Sequence, residues 1–262
     1  MTEADWLNST DPQALIAVLR DSGKLSERKA RLFAAACCRQ VWHLLTDEEG
    51  GKEEVEVAEQ YADAEADAHT MSEANLSAWA FHIGYAFAGI DFSRVGQDDK
   101  EWGTRQQVGR AASEAVLAAA WWGSDEDWRL GGDGRKVGDP AWAVSTALYY
   151  RAEPGVSVTG DRWQHPVLCQ LLRDVFGNPF AASPRIDLSW LVWNDGTVRR
   201  LAEAIYDVRS LPDGHLDNTR LAILADALED AGCDNVDILN HCRLPGVHVR
   251  GCWLLDLLTG RE

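Results

Sequence analysis

Apolar residues in this chain recur at intervals of three and four positions, and almost no segment alternates apolar and polar residues. The segment SERKARLFAAACCRQVWHLLT follows this pattern through Leu32, Phe33, Cys37, Val41 and Leu45. Such spacing puts one apolar stripe along an α-helix, whereas a half-buried strand requires alternation with a period of two. The pattern therefore predicts an all-α fold whose helices pack as antiparallel pairs.

The same spacing predicts about ten helices in the 262 residues. Ser26 is the predicted N-cap of the helix in the segment above, and Asp195 is the predicted N-cap of a helix through residues 198–206. The helices after residue 195 have lengths typical of a solenoid but share no repeated consensus. The other predicted helices run roughly through residues 12–20, 53–69, 72–90, 105–122, 141–151 and 165–176. A further apolar stripe through Leu221, Leu224, Ala225 and Leu228 predicts a helix that Gly232 ends, Asp234 or Asn235 begins another, and a last helix contains Cys252, Trp253, Leu255 and Leu258.

One long segment between the predicted helices is rich in glycine and aspartate. It reads GSDEDWRLGGDGRKVGDP and covers residues 123–140. Glycine and aspartate favour turns, so the segment is predicted to be a loop. It would separate an N-terminal helical lobe, residues 1–122, from a C-terminal helical lobe, residues 141–262. The alternative is one continuous domain, which a chain of this length also allows.

The charge of the chain disfavours two classes of partner. Its 42 acidic residues outnumber 25 basic ones, and the formal net charge is −17. Such a surface repels nucleic acid and anionic lipid, and it attracts a protein with a basic surface. Eleven acidic residues lie between Asp47 and Glu73 against the single base Lys52. This stretch is interpreted as a solvated helix face, with an acidic docking face as the alternative.

The chain is expected to be cytoplasmic. Its first residues, MTEADWLNSTDP, are acidic where a secretory signal needs positive charge, and no apolar stretch reaches the roughly 18 residues of a membrane span. In the cytoplasm the six cysteines would remain reduced thiols.

A cluster of histidine and cysteine near the end of the sequence raises the question of a metal. Within HCRLPGVHVRGCW, the candidate ligands are His241, Cys242, His248 and Cys252. Two thiolates and two imidazoles suit tetrahedral Zn²⁺, but the tight C-x2-4-C spacing of most structural zinc sites is missing. A helix that ends at LPG would place His241 in its last turn, and Cys252 would pack as a small hydrophobe on the next helix. A corner between two helices is therefore the preferred interpretation, and zinc is the alternative.

Sequence signatures of catalysis are missing as well. The chain has no G-x-x-x-x-G-K-[ST], no H-E-x-x-H and no G-x-S-x-G. Cys37, Cys38 and His43 are close in sequence, but helical spacing turns Cys38 and His43 to opposite flanks, away from the reach that a nucleophile and its base need. No catalytic residue is predicted, and a non-enzymatic protein is favoured.

The tryptophans suggest an interaction role. There are twelve, of which Trp121 and Trp122 lie directly before the predicted loop and Trp128 lies within it. Tryptophan supplies a large apolar surface with one polar atom, which suits protein interfaces. The preferred function is a helical interaction or adaptor module with an acidic surface, whose protein partner has a basic surface. One alternative is a zinc metalloprotein or enzyme that uses the cluster at 241–252. Another is an acidic mimic of nucleic acid that occupies a basic protein.

Several longer segments resemble a known family. They are LFAAACCRQVWHLLTDEE, LLRDVFGNPF, LVWNDGTVRRLAEAIYD, LAILADALEDAGCDNVDILNHCR and HVRGCWLLDLLTGRE. Together they resemble a large all-helical protein family of planctomycete bacteria that has no established activity. The resemblance implies a complete protein in which the histidine and cysteine clusters belong to a shared framework. It supplies no catalytic residues.

Overall fold

The computed structural model describes residues 1–40, 42, 45, 51–88, 166–182 and 184–261. These residues form ten helices and one short antiparallel hairpin, which confirms the prediction of an all-α fold. No helix in these residues is long and apolar enough to cross a membrane. The elements are α1 (Glu3–Asn8), α2 (Pro12–Asp21), α3 (Glu27–Gln40), α4 (Lys52–Ala62), α5 (Ala68–Ala88), α6 (Pro166–Phe176), α7 (Leu188–Asp207), β1 (Arg209–Ser210), β2 (His215–Leu216), α8 (Asn218–Asp230), α9 (Val236–Arg243) and α10 (Trp253–Thr259).

The chain divides into two compact units. The first contains residues 1–10, 14–25 and 166–262, and the second contains residues 11–13 and 26–165. The first unit thus combines residues from both of the predicted lobes. The predicted loop at 123–140 lies outside the described residues, as do the helices predicted at 105–122 and 141–151.

Helices α7 to α10 enclose the hydrophobic core of the first unit. Asp217 and Asn235 cap α8 and α9, since each side chain accepts hydrogen bonds from two backbone N–H groups of the helix it precedes. Packing is continuous from α7 through α8 to α9, and α10 packs back on α7. The fully buried core side chains include Val198, Ala202, Tyr206, Leu221, Leu224, Ala225, Leu228, Ile238, Cys252, Leu254, Leu255 and Leu258.

Helix α7 differs from its prediction at its start. It begins at Leu188, where Asp187 accepts a hydrogen bond from the backbone N–H of Ser189. Asn194, Asp195 and Gly196 then take left-handed backbone angles and interrupt the helix. The prediction of Asp195 as the N-cap is therefore wrong. Asparagine, aspartate and glycine tolerate this conformation better than other residues, which is why the interruption falls here.

Residues near the N-terminus belong to the first unit because Arg173 of α6 binds them. Its guanidinium donates hydrogen bonds to the carbonyl oxygens of Trp6, at 2.6 and 2.9 Å, and Ser9, at 2.6 Å. The Trp6 side chain is fully buried. Two further hydrogen bonds join Asn178 to Glu3 and Lys24 to the carbonyl of Pro179.

Several acidic side chains of α4 and of the residue after it pair with polar side chains of α3 and α5 in the second unit. Glu59 of α4 forms a bidentate ion pair with Arg39, at 2.6 and 2.7 Å, and both side chains are buried. Asp63 lies 2.7 Å from Arg28, and Glu54 accepts a hydrogen bond from Ser77. The acidic stretch is therefore only partly a solvated face.

Candidate metal centre

Four side chains of the first unit meet in one small buried group. Asp174 lies near the end of α6, His241 in the last turn of α9, His248 in the connection after α9, and Cys252 at the N-cap position of α10. One potential ligand atom from each residue lies within 4.8 Å of the other three. The side chains of Asp174, His248 and Cys252 are almost completely buried, and that of His241 is 14% exposed.

The connection between α9 and α10 folds His248 back toward His241. Helix α9 ends at Arg243, because Leu244 is extended and precedes Pro245. The carbonyl of His248 then accepts a hydrogen bond from the backbone N–H of Leu216, at 2.8 Å. A tight turn follows, in which the backbone N–H of Cys252 donates to the carbonyl of Val249. These backbone bonds hold both side chains against the end of α9.

Asp174 joins this corner to α6. Its Oδ2 accepts a hydrogen bond from the backbone N–H of Val249, at 2.8 Å, which leaves Oδ1 facing the histidines. Oδ1 lies 2.6 Å from Nδ1 of His248 and 3.5 Å from Nε2 of His241. The same Nε2 lies 3.1 Å from the sulfur of Cys252.

These separations are close to those of a tetrahedral site. Zinc–ligand distances of about 2.0 to 2.3 Å put neighbouring ligand atoms about 3.3 to 3.8 Å apart. The distances from His241 Nε2, 3.1 Å to the sulfur of Cys252 and 3.5 Å to Oδ1 of Asp174, need only small changes. The 2.6 Å hydrogen bond between Asp174 and His248 would have to lengthen by several tenths of an ångström.

Burial sets the protonation of two members of the group. It lowers the pKa of His241 to about 4, against the opposing effect of the Asp174 carboxylate. Burial also raises the pKa of the Cys252 thiol well above 9.0, and the charge of Asp174 acts in the same direction. At neutral pH and without a metal, His241 is neutral and Cys252 is protonated. A metal would find an imidazole without positive charge but would have to displace the thiol proton.

Two nitrogens on the outer side of the group differ in their surroundings. Nδ1 of His241 accepts a hydrogen bond from the indole of Trp253, at 3.1 Å. Nε2 of His248 is buried and has no hydrogen-bond partner in the part of the chain that the structure describes. Gly246 lies beside it, since a Cβ at that position would be 3.3 Å from this nitrogen.

Three of the four residues proposed from the sequence thus lie together, and Cys242 is not among them. Cys242 packs in the hydrophobic core, where burial raises its pKa to about 12. Successive side chains of an α-helix point about 100° apart, so His241 and Cys242 cannot both face one ion. The fourth member, Asp174, was not proposed. The sequence feature that could have identified Asp174 is the position of an acidic residue within the apolar stripe of α6, near Leu171 and Val175.

Of the remaining candidates, the structure describes Cys37 and Cys38. Cys37 and Cys38 are buried in α3, and burial raises the pKa of Cys38, so its thiol is not activated. His43 lies outside the described residues, and so do Trp121, Trp122 and Trp128.

Comparisons with known proteins give no match: no family model, no curated protein and no solved structure resembles the chain. The resemblance to a planctomycete family therefore stays a prediction. The chemistry of the site rests on its own residues. A carboxylate, two imidazoles and a thiol are the donors that zinc uses in proteins.

Proposed function

We propose that the first unit binds one structural zinc ion through Asp174, His241, His248 and Cys252. The observation that carries this proposal is the meeting of four donor atoms within 4.8 Å. They come from three helix ends and one connection, so their convergence is not a by-product of spacing along one helix. A zinc ion there would fasten α6, α9 and α10 to one another.

Charge balance supports the proposal. A metal-bound Cys252 would be a thiolate, and the two histidines would be neutral. Together with the Asp174 carboxylate, the ligands then carry two negative charges, which balance the two positive charges of zinc. A buried group with no net charge avoids most of the desolvation penalty of an isolated ion.

A structural role is favoured over a catalytic one because the protein supplies four ligands. Catalytic zinc sites keep one position open for water or substrate, whereas structural sites are closed. Only His241 has appreciable exposure, at 14% of its side chain. The backbone N–H of Val249 holds the second oxygen of Asp174, which is the outer support that ligands of metal sites usually have.

The mixed donor set favours zinc over calcium or magnesium. Those two ions prefer oxygen ligands alone, whereas a thiolate and two imidazoles suit zinc and later transition metals. Cobalt(II) is therefore a suitable spectroscopic probe, because it accepts the same tetrahedral donors.

The metal content of untagged protein tests the proposal, with two buried cysteines as a matched pair. We expect about one zinc per chain in the wild type and in Cys242→Ala, and almost none in Cys252→Ala and Asp174→Asn. Cobalt titration should show the visible bands of a tetrahedral thiolate site in the first two proteins only. A chelator should lower the melting temperature of the same two proteins, because binding energy is folding energy.

The absence of zinc from the purified wild type would support the alternative interpretation, a corner between two helices without a metal. If purified wild type contains no zinc, cobalt gives no tetrahedral bands and a chelator leaves the melting temperature unchanged, the four side chains form only a hydrogen-bonded cluster. Equal metal loss in Cys242→Ala and Cys252→Ala would also contradict the proposal, since Cys242 lies in the hydrophobic core.

A role in binding a basic protein remains a second proposal, and a structural zinc ion is compatible with it. Its support is the net charge of −17. The inward-facing Glu54, Glu59 and Asp63 reduce the acidic surface available on α4. Binding to a purified basic protein that weakens with salt would support this role, and competition by DNA would favour mimicry of nucleic acid.

A further inference from the structure

The indole of Trp253 fixes the position of a proton on His241. Its Nε1 lies 3.1 Å from Nδ1 of His241, and the ring centroids are 4.8 Å apart. An indole N–H can only donate a hydrogen bond, so Nδ1 must be the acceptor. Since neutral imidazole carries a single proton, that proton lies on Nε2 of His241.

A metal needs the same Nε2. This nitrogen is the one that faces the other donors, with the sulfur of Cys252 at 3.1 Å and Oδ1 of Asp174 at 3.5 Å. In the metal-free protein its N–H donates toward that sulfur. When zinc occupies the lone pair of Nε2, the proton of a neutral ring must lie on Nδ1. The N–H of His241 and the N–H of Trp253 then face each other, and their hydrogen bond cannot persist.

We propose that Trp253 opposes metal binding by holding His241 in the tautomer that cannot ligate through Nε2, and that zinc releases the indole. This inference rests on the proposed zinc site and describes its regulation. Trp253 does not touch the metal in this scheme. It acts through His241 and is therefore a positioning residue that lowers the affinity of the site.

The contacts of Trp253 determine which part of the structure would change when zinc releases the indole. It is the first residue of α10 and directly follows Cys252. Its ring packs against Gly177, just after α6, where an added Cβ would lie 3.2 Å from Cγ of the indole. The Trp253 side chain is only partly buried. Zinc would thus change the contact between α10 and the end of α6 through this one side chain.

The first test is the affinity of Trp253→Phe for zinc, measured by competition with a chromophoric chelator. Phenylalanine keeps most of the ring contact with Gly177 but cannot donate a hydrogen bond. Because the wild type must break a hydrogen bond of this kind to bind zinc and the variant need not, the variant should bind zinc about twofold to tenfold more tightly than the wild type. The matched control is Trp193→Phe, a partly buried tryptophan against the same core, which should leave the affinity unchanged.

The second test observes the tautomer by nitrogen-15 NMR of the full chain. In the metal-free protein we expect His241 to carry its proton on Nε2. Addition of zinc should move that proton to Nδ1 and shift the indole N–H resonance of Trp253. That resonance is assigned as the one that is missing from the spectrum of Trp253→Phe. This readout does not depend on the stability of the variant.

The outcomes separate the two proposals. If the wild type binds zinc while the affinity of Trp253→Phe and the indole resonance are unchanged, the zinc site stands and the role of Trp253 is refuted. A metal-free His241 with its proton on Nδ1 refutes that role whatever the metal does. Failure of both the wild type and Trp253→Phe to bind zinc would overturn the proposed function and the present inference together.

Discussion

Replacing Gly177 by alanine should destabilise the protein more than the same change at Gly23. Both glycines follow a helix with nearly equal left-handed angles, φ +67° and φ +66°. Alanine in this conformation costs about 1 to 2 kcal/mol at either position. Nothing lies within 4 Å of a Cβ at Gly23, whereas a Cβ at Gly177 would be 3.2 Å from Cγ of Trp253. Overpacking of this kind adds about 1 to 2 kcal/mol, so Gly177→Ala should cost about 2 to 4 kcal/mol in all.

The comparison uses urea unfolding of the two variants, followed by far-ultraviolet circular dichroism in a zinc-containing buffer. The difference in the free energy of unfolding between them isolates the tryptophan contact, because the backbone strain is the same. In a Trp253→Ala background that difference should disappear. If the difference between the two glycine variants is as large in the Trp253→Ala background as in the wild type, or if the two variants are equally destabilised in the wild type, Trp253 does not pack on Gly177.

Three further results are expected. Arg173→Met should destabilise the protein by about 1 to 3 kcal/mol and raise the hydrogen exchange of residues 3–9, while Arg199→Met on the exposed face of α7 should change neither. Metal-free protein should lose stability above about pH 9, because folding raises the pKa of the Cys242 thiol from 9.0 to about 12. Between these two pH values the thiol ionises in the unfolded chain but stays neutral in the folded protein, so the unfolded state is favoured as the pH rises. That loss approaches about 1.4 kcal/mol per pH unit, and urea unfolding at about pH 8 and about pH 10 should show less of it in Cys242→Ala. Zinc affinity should fall about tenfold for each unit of pH below neutrality, since the thiol of Cys252 must lose its proton to bind. Chelator competition at two pH values measures this dependence, and a pH-independent affinity would contradict a thiolate ligand.

The positions of several helices could be predicted from the spacing of apolar residues, because each of these helices buries a single apolar stripe. The predictions at 12–20 and 165–176 lie within one residue of the observed Pro12–Asp21 and Pro166–Phe176, and the predicted stripe from Leu221 to Leu228 lies within the observed Asn218–Asp230. The start of α7 was missed for a local reason as well. Asp195 was predicted as the N-cap, but it takes left-handed angles within a helix that begins earlier.

Only part of the candidate site could be predicted from the sequence. His241, His248 and Cys252 stood out because they are close in sequence, but Asp174 joins them through a contact across 75 positions, to Val249. Periodicity shows that α6 has a buried stripe and does not show which helix covers it. Cys242, by contrast, could have been rejected beforehand, since a helix turns it away from the face that His241 occupies.

The hydrogen bonds of Arg173 have a consequence for how the chain folds. They join residues 167 and 164 positions apart, and the bond from Asn178 to Glu3 spans 175. Contacts so distant in sequence form late, because the entropy of closing a loop grows with its length. During synthesis Trp6 must remain without its final partners until α6 has been made. Refolding of the first unit should therefore be slower than that of a helical bundle joined only by short connections, and α1 should gain protection from hydrogen exchange no earlier than α6.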